Sequence, residues 1–305
     1  MVRVSGRTLW TALLAGLIGW SATIRAETGE RPAPLILEQT VLGLTSPADA
    51  GMPGKPVMLM DPASVAATGE QLVVFDRSKG ELHRIDPRLL TAERLARSRP
   101  LANWRLRPTR STDFLVIDPH GTGVRAFSES GELRGHFEDL ELTQAVDATV
   151  SVTGNELIVA DVDGRLHTFA WSGVRISTNT TLSDRGVSPV ALVRGPRTYF
   201  LIDRDCTCVI ELDGNGLPLR LIAEGQLPLA TDLAVDAHGR LWLLDSAGQH
   251  LYTLLPSEQV QAIPVHTLGV ASVSALTIDR NRLILAERGS GRLLIFAIAD
   301  PGGVQ

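Results

Sequence analysis

Six short apolar segments, each ending in an acidic residue, recur along the chain at an almost constant distance. The acids are separated by 42, 43, 42, 42 and 42 residues, and they are Asp76, Asp118, Asp161, Asp203, Asp245 and Glu287. A period of about 40 to 50 residues is typical of repeat folds in which one unit cannot bury its apolar faces alone. The spacing therefore restricts the chain to architectures built from six similar units.

Each unit contains the pattern of several short strands. The apolar segments are rich in Val, Ile and Leu and are bounded by turn residues such as Thr68 and Gly69, which is typical of a buried strand. A second strand-like run follows the acid, a third precedes the apolar segment, and the remaining residues leave room for a fourth. Four antiparallel strands per unit predict an all-β, six-bladed β-propeller. A linear solenoid is the alternative, but β-solenoid repeats are shorter.

The two ends of the chain predict how the ring closes. The third strand of the last unit is expected at about Arg292 to Ala297, and only eight residues follow it. That is too short for an outer strand. The unassigned run "LILEQTV", at residues 35–41, is therefore predicted to complete the sixth blade as its outermost strand and to protect an otherwise open edge.

The first residues follow the pattern of a secretory signal peptide. Arg3 and Arg7 precede a run of 17 uncharged residues, and small residues lead to Ala26. We therefore predict a signal peptide over residues 1–26 and a mature propeller over residues 27–305, periplasmic or secreted, with no membrane insertion once the peptide is cleaved. An uncleaved membrane anchor is the alternative, because the run is close to the shortest spanning length.

The charge of the chain argues against one class of partner. Loss of the three arginines in residues 1–26 would change the formal net charge from −5 to −8. Nucleic acids are bound mainly by basic side chains that neutralise phosphates. We therefore predict no nucleic-acid partner.

The repeats resemble those of NHL-type six-bladed β-propellers. The most faithful copy is "LATDLAVDAHGRLWLLDSAGQHLYTL", at residues 229–254, whereas the second unit, "NWRLRPTRSTDFLVID", departs most and has Pro108 in its expected inner strand. The resemblance implies a fold and a platform for binding. It does not imply a reaction, because propellers host enzymes and interaction modules alike.

Three acids are candidates for a site at the mouth of the channel. Asp61, Asp147 and Asp232 are expected at the start of the inner strands of units 1, 3 and 5, where units 2, 4 and 6 have Arg105, Ser188 and Ser274. Three converging carboxylates would suit a hard cation such as calcium. Lactonases of the gluconolactonase type hold calcium on the channel axis, but this chain lacks their asparagines at the inner-strand starts. Solvated or arginine-paired acids are the alternative.

The repeat acids and the two cysteines have other expected roles. An Asp after the second strand can accept hydrogen bonds from nearby backbone N–H groups, so the six repeat acids are predicted to be structural. The cysteines, Cys206 and Cys208, are the only ones in the chain. They leave three alternatives, which are a local disulfide, free or intermolecularly paired thiols, and a soft-metal site.

The sequence contains none of the common catalytic motifs. GxSxG, HExxH and Walker A patterns are absent. We therefore expect a module without a cofactor that binds an unidentified protein or small-molecule ligand. A metal-assisted lactonase or related hydrolase is the alternative function, and an assembly component of a membrane complex is a third.

Overall fold

The chain folds into a six-bladed β-propeller. The computed structural model describes residues 34–48, 53–109, 111–121, 123–227, 229–254 and 259–299. The predicted signal peptide lies outside these residues. Six antiparallel sheets form the blades, so the predicted fold class and blade number are confirmed. None of the helices in this described part is long and apolar enough to span a membrane.

The strands follow one another in blade order. The chain begins with β1 (Leu35–Val41), β2 (Leu44–Thr45) and β3 (Pro56–Val57). Blade 1 then contains β4 (Pro62–Thr68), β5 (Gln71–Asp76), β6 (Glu81–Asp86) and β7 (Thr91–Arg97). Blade 2 contains β8 (Arg105–Pro108), β9 (Phe114–Ile117), β10 (Gly123–Phe127) and β11 (Leu133–Glu138). Blade 3 contains β12 (Ala145–Val150), β13 (Glu156–Asp161), β14 (Leu166–Ala170) and β15 (Arg175–Asn179).

The second half of the ring repeats this order. Blade 4 contains β16 (Pro189–Arg194), β17 (Tyr199–Asp203), β18 (Cys208–Leu212) and β19 (Pro218–Ile222). Blade 5 contains β20 (Ala230–Val235), β21 (Leu241–Asp245), β22 (His250–Leu254) and β23 (Val260–Pro264). Blade 6 contains β24 (Val273–Asp279), β25 (Arg282–Glu287) and β26 (Leu293–Ile298). Short 3-10 helices occupy Ser183–Arg185 and Val265–Leu268.

The second strand of each blade is buried on both faces because each blade packs between two neighbours. All residues of β9, β17 and β21 are buried. The buried apolar side chains form six clusters, each shared by two adjacent blades. One of them joins blade 6 to blade 1, as in Ile284 with Val74. The apolar segments therefore form the interfaces between adjacent blades, and the core consists of six such interfaces arranged in a closed ring.

The predicted closure of the ring is confirmed. Strand β1 pairs antiparallel with β26, from Leu35 opposite Ile298 to Val41 opposite Leu293, and the sheet order is β1-β26-β25-β24. Val41 is completely buried in the cluster between blades 6 and 1. Blade 1 also has a feature that the repeats did not predict. Strand β2 pairs parallel with β7 and, together with β3, extends the outer edge of the blade.

The closing strand gives a first prediction about stability. Val41→Ala should lower the free energy of unfolding by about 2 kcal/mol, because it opens a void at the closing interface. Ile36→Ala, on the same strand but 57% exposed, should change it by less than about 0.5 kcal/mol. Urea unfolding followed by tryptophan fluorescence measures both. Equal effects of the two substitutions would show that β1 does not hold the ring closed.

Candidate functional site

The inner strands place equivalent residues around the channel in two rings. Each residue of the first ring pairs with the residue just before a repeat acid, and the ring consists of Ser64, Arg105, Asp147, Ala191, Asp232 and Ala275. The second ring lies two residues further along each strand, and it consists of Ala66, Arg107, Thr149, Val193, Ala234 and Thr277. Charged residues in these rings come from blades 2, 3 and 5.

Asp147 in β12 is the centre of the charged group. Its side chain is completely buried. Its Oδ1 atom accepts hydrogen bonds from the N–H of Ala148 at 2.9 Å and from Arg107 Nε at 3.0 Å. Its Oδ2 atom accepts from the N–H of Leu192 at 2.8 Å, from Arg107 Nη2 at 2.6 Å and from Arg105 Nη1 at 3.0 Å. Both oxygens are therefore saturated with donors.

Arg107 joins the two channel aspartates. Besides Asp147, its Nη2 atom contacts Asp232 Oδ1 at 2.8 Å. The remaining oxygen of Asp232 accepts from the N–H of Leu276 at 3.3 Å in blade 6. Arg107 is almost completely buried, with 7% of its side chain exposed. It thus connects blade 2 with blades 3 and 5 across the channel.

Arg105 crosses the channel at the adjacent level. Its Nη1 atom also donates to the carbonyl of Val190 at 2.6 Å, and its Nη2 atom donates to the carbonyl of Thr231 at 2.9 Å. These carbonyls belong to blades 4 and 5. We call Arg105, Arg107, Asp147 and Asp232 the channel network. Its two positive and two negative charges balance, so it fills this part of the channel without net charge.

The network fixes the protonation of its buried members. Burial alone would raise the pKa of Asp147, but the charges of Arg107 and Arg105 and the hydrogen bonds to the carboxylate outweigh it and lower the pKa below its usual value. For Arg107, burial opposes the charged form, yet the two aspartates raise its pKa. Asp147 and Arg107 therefore both remain charged at neutral pH.

The structure brings Asp147 and Asp232 together and places Asp61 apart from them. Asp61 lies three residues before Ser64, the member of the first ring in blade 1. Its Oδ2 atom pairs with Arg77 Nη2 at 2.8 Å. Ser188 corresponds to Asp61 in register, and Ser274 lies one residue before the ring. The expected set of equivalent acids therefore does not share one level of the channel.

This geometry does not fit a calcium ion. Ca²⁺ needs six to eight oxygen ligands that are free to coordinate it. Both Asp147 oxygens are already occupied by donors, and Arg107 lies between Asp147 and Asp232, where a cation would have to bind. A cation there would have to displace a buried guanidinium. The alternative of arginine-paired acids describes this arrangement.

A cavity of about 320 Å³ lies at the end of the channel where the inner strands finish. Residues of the second ring form part of its lining, and Val150, Val235 and Ile278 add apolar surface. Within the described part of the chain, the hydroxyls of Thr149 and Thr277 make no hydrogen bond, although both residues are largely buried. These hydroxyls are free to contact a molecule in the cavity. Sequence reasoning missed this site, for which the only signal was a polar residue at this position in units 2, 3 and 6.

The six repeat acids all accept backbone hydrogen bonds. Some accept from the turn that follows the strand: Asp161 accepts from the N–H groups of Asp163 and Arg165. Others accept from the segment that precedes the inner strand: Asp76 accepts from the N–H of Met60, and Glu287 accepts from the N–H of Ala271. The remaining three accept from N–H groups in the same regions, and they are Asp118, Asp203 and Asp245. This repeated contact links each second strand to its turns.

Cys206 and Cys208 are joined by a disulfide bond in the structure. Their Cα atoms are 5.2 Å apart, within the usual range for a bridge. Cys208 is buried, and Cys206 is partly exposed. The residue between them, Thr207, adopts a φ of +48°. The turn is therefore tight enough for the local bridge, one of the three alternatives left open by the sequence.

Comparisons with known proteins show the fold but not a family. No protein-family model and no curated protein matches the sequence. The structure is similar to a protein of unknown function from Bacteroides thetaiotaomicron, with a TM-score of 0.64 and 13% identity over 85% of this chain and 75% of that one. The WD40 β-propeller domain of Doa1 has a TM-score of 0.58 and 13% identity over 87% and 97% of the two chains.

A third similar structure is an enzyme with a bound molecule. Catalytically inactive virginiamycin B lyase from Staphylococcus aureus with quinupristin has a TM-score of 0.56 and 11% identity, over 76% of this chain and 79% of that one. Identities this low establish the propeller fold alone. The NHL-type character of the repeats therefore stays a sequence-based prediction.

The channel network predicts that the loss of one buried charge strongly lowers the stability of the fold. Asp147→Asn should lower the free energy of unfolding by about 3 to 5 kcal/mol, because it leaves Arg105 without a carboxylate partner and Arg107 with Asp232 alone, so the buried network gains a net positive charge. Asp61→Asn removes a partly exposed ion pair and should lower it by at most about 1 kcal/mol. Urea unfolding measures both. A small effect of Asp147→Asn would mean that the network does not hold the inner strands together.

The lowered pKa of Glu287 predicts that the stability of the protein depends on pH. Burial opposes its charge, but hydrogen bonds from Arg292, Ser290 and the N–H of Ala271 outweigh burial and lower its pKa from 4.5 to about 2. A depressed pKa in the folded state contributes stability above pH 4.5 that is lost as the pH falls towards 2, about 3 kcal/mol in all. Glu287→Gln should reduce the slope of stability against pH in this window. An unchanged slope in urea titrations would refute this assignment.

Proposed function

We propose that this chain is an exported, NHL-like β-propeller that binds a small organic ligand in the cavity at the end of its channel. The observation that carries the proposal is a cavity of about 320 Å³ with two free hydroxyls, closed on one side by the charge-balanced channel network. Its volume is at the lower end of the range for ligand sites, about 300 to 1,000 Å³. A small molecule therefore fits it better than a protein segment does.

The lining indicates the chemistry of the ligand. Thr149 and Thr277 offer hydroxyls that can donate or accept a hydrogen bond, while Val193, Leu233 and Ile278 offer apolar surface. The charge of Arg107 at one side of the cavity is already neutralised by the two channel aspartates. We therefore propose a ligand with an apolar body and at least two oxygen atoms for hydrogen bonding.

Binding is favoured over metal-assisted hydrolysis by the state of the carboxylates. A metal-dependent hydrolase needs ligands that hold the ion and leave a position open for water or substrate. Asp147 and Asp232, the acids proposed for that role, are bound to arginines and backbone N–H groups instead. A lactonase would therefore need another set of residues.

Two further observations support parts of the proposal. A disulfide bond and a signal-like first segment both fit an oxidising compartment outside the cytoplasm, periplasmic or extracellular. The structure of virginiamycin B lyase contains quinupristin, so a propeller of similar fold accommodates an organic ligand.

A pair of isosteric substitutions tests the cavity. A library of lactones, hydroxy acids and sugars is screened against the mature protein by saturation-transfer NMR. Thr149→Val should weaken the binding of any hit about tenfold, because it removes one hydrogen bond and keeps the shape of the cavity. Thr253→Val is the matched control, since the Thr253 hydroxyl is buried in β22, away from the cavity, and has no partner among the described residues. The affinity of this variant for the ligand should not change.

The same samples separate binding from catalysis. Hits that bind both variants equally would place the ligand outside the cavity and refute the proposed site. Hydrolysis of γ-butyrolactone in the presence of calcium, if abolished by Asp61→Asn but not by Thr149→Val, would favour the lactonase alternative. We expect no hydrolysis.

A further inference from the structure

The turn after the second strand of blade 4 differs chemically from the other five. It contains Cys206 and Cys208, and Asp203 is the last residue of the strand before it. Strand pairing places Asp203 directly opposite Cys208. The two sulfurs and a carboxylate oxygen of Asp203 lie within 4.8 Å of one another. Three potential metal ligands thus converge on a single turn.

The disulfide bond in this turn contributes little to holding the fold together. A bridge that spans one residue closes a very short loop, so it removes little conformational entropy from the unfolded chain. Blade 4 is already connected by the ladders of β17, β18 and β19. Stabilisation of the fold is therefore a poor explanation for these two cysteines.

The turn leaves one end of the bond accessible. Cys206 is partly exposed, so a reductant can approach the bond from that side. Thr207 lies in the left-handed region with a φ of +48°, as do Gly80 and Gly291 at the same distance from their repeat acids in turns without a disulfide. This conformation therefore belongs to the turn and does not depend on the bond.

Asp203 has one oxygen available for a ligand. Its Oδ1 atom accepts the N–H groups of Ser188 at 3.0 Å and of Asp205 at 3.1 Å, which hold the carboxylate in place. Its Oδ2 atom accepts no hydrogen bond from the residues that the structure describes. The side chain is largely buried, and Asp205 adds a second negative charge at the same turn.

We propose that reduction of the Cys206–Cys208 bond creates, with Asp203, a three-ligand site for a borderline or soft divalent cation such as Zn²⁺ or Cd²⁺. In the first step the thiolate of a dithiol attacks Cys206 Sγ, the sulfur–sulfur bond breaks, and Cys208 Sγ takes a proton from water. The second thiol of the reductant then displaces Cys206, so the protein gains two thiols and the reductant becomes a disulfide. The cation then replaces one proton on each sulfur.

The ligand set selects the class of cation. Two thiolates and one carboxylate suit Zn²⁺ and Cd²⁺, whereas Ca²⁺ requires many oxygens. Three protein ligands leave one coordination position for water or another molecule. Once the bond has opened, rotation of the two cysteine side chains lets the sulfurs separate to the distance that a tetrahedral ion needs. This site is independent of the proposed cavity.

The test uses Cd²⁺ as the probe, because its bonds to thiolates absorb in the ultraviolet. The mature protein is reduced with a phosphine under nitrogen, its thiols are counted with a chromogenic disulfide, and Cd²⁺ is titrated while circular dichroism follows the fold. We expect two thiols in a folded protein and one equivalent of bound Cd²⁺. The oxidised protein and Cys206→Ser should show no thiolate band of that intensity.

Asp203→Asn tests the third ligand, and Asp118→Asn is its matched control. Both acids accept the N–H of the residue two positions later, a bond that the asparagine oxygen can also accept. Asp203→Asn should weaken Cd²⁺ binding by tenfold or more, and Asp118→Asn should leave it unchanged. Equal affinities in the two variants would refute the role of Asp203.

Three other results would also overturn the proposal. They are a disulfide that resists the reductant in the folded protein, loss of the fold on reduction, and a reduced folded protein that does not bind Cd²⁺.

Discussion

The structure depends on a buried guanidinium that lies between two aspartates in the middle of the ring. Arg107 contacts Asp147 in the adjacent blade 3 and Asp232 in blade 5, and the second contact joins blades that are not neighbours. Packing between adjacent blades alone would leave the inner strands around an open channel. The channel network fills that space with bonds that satisfy the buried charges, whereas an unpaired charge there would be strongly destabilising. The second unit, which departs most from the other repeats, supplies both arginines.

The network also gives the two ends of the channel different properties. Arg105 and Arg107 close the channel near the start of the inner strands. The space beyond them is a cavity lined by residues of the second ring and by apolar side chains. Hydrogen bonds from arginines and backbone N–H groups keep the two carboxylates from acting as metal ligands. The same four residues thus argue against a calcium ion between Asp147 and Asp232 and form one side of the proposed ligand site.

Much of the fold follows from the sequence, but the site does not. The even spacing of the acids predicts six blades, and the short C-terminal remainder predicts that β1 closes blade 6. The inner strands are harder to align, because the distance from the first ring to the repeat acid varies between 12 residues, as in blade 1, and 14 residues, in blade 3. Asp61 lies 15 residues before its repeat acid, so the sequence makes it look equivalent to Asp147 although it lies three positions before the ring. Contacts such as Arg105 with Thr231, 126 residues apart, leave no local pattern in the sequence.

The pairing of β1 with β26 has a consequence for the order of folding during synthesis. Residues 35–41 leave the ribosome among the first of the propeller, and their partners at residues 293–298 leave among the last. Five blades can pair their own strands as they emerge, but the sixth needs both ends of the domain. The apolar surfaces through which blades 1 and 6 face each other can therefore be covered only after both ends of the domain have been made.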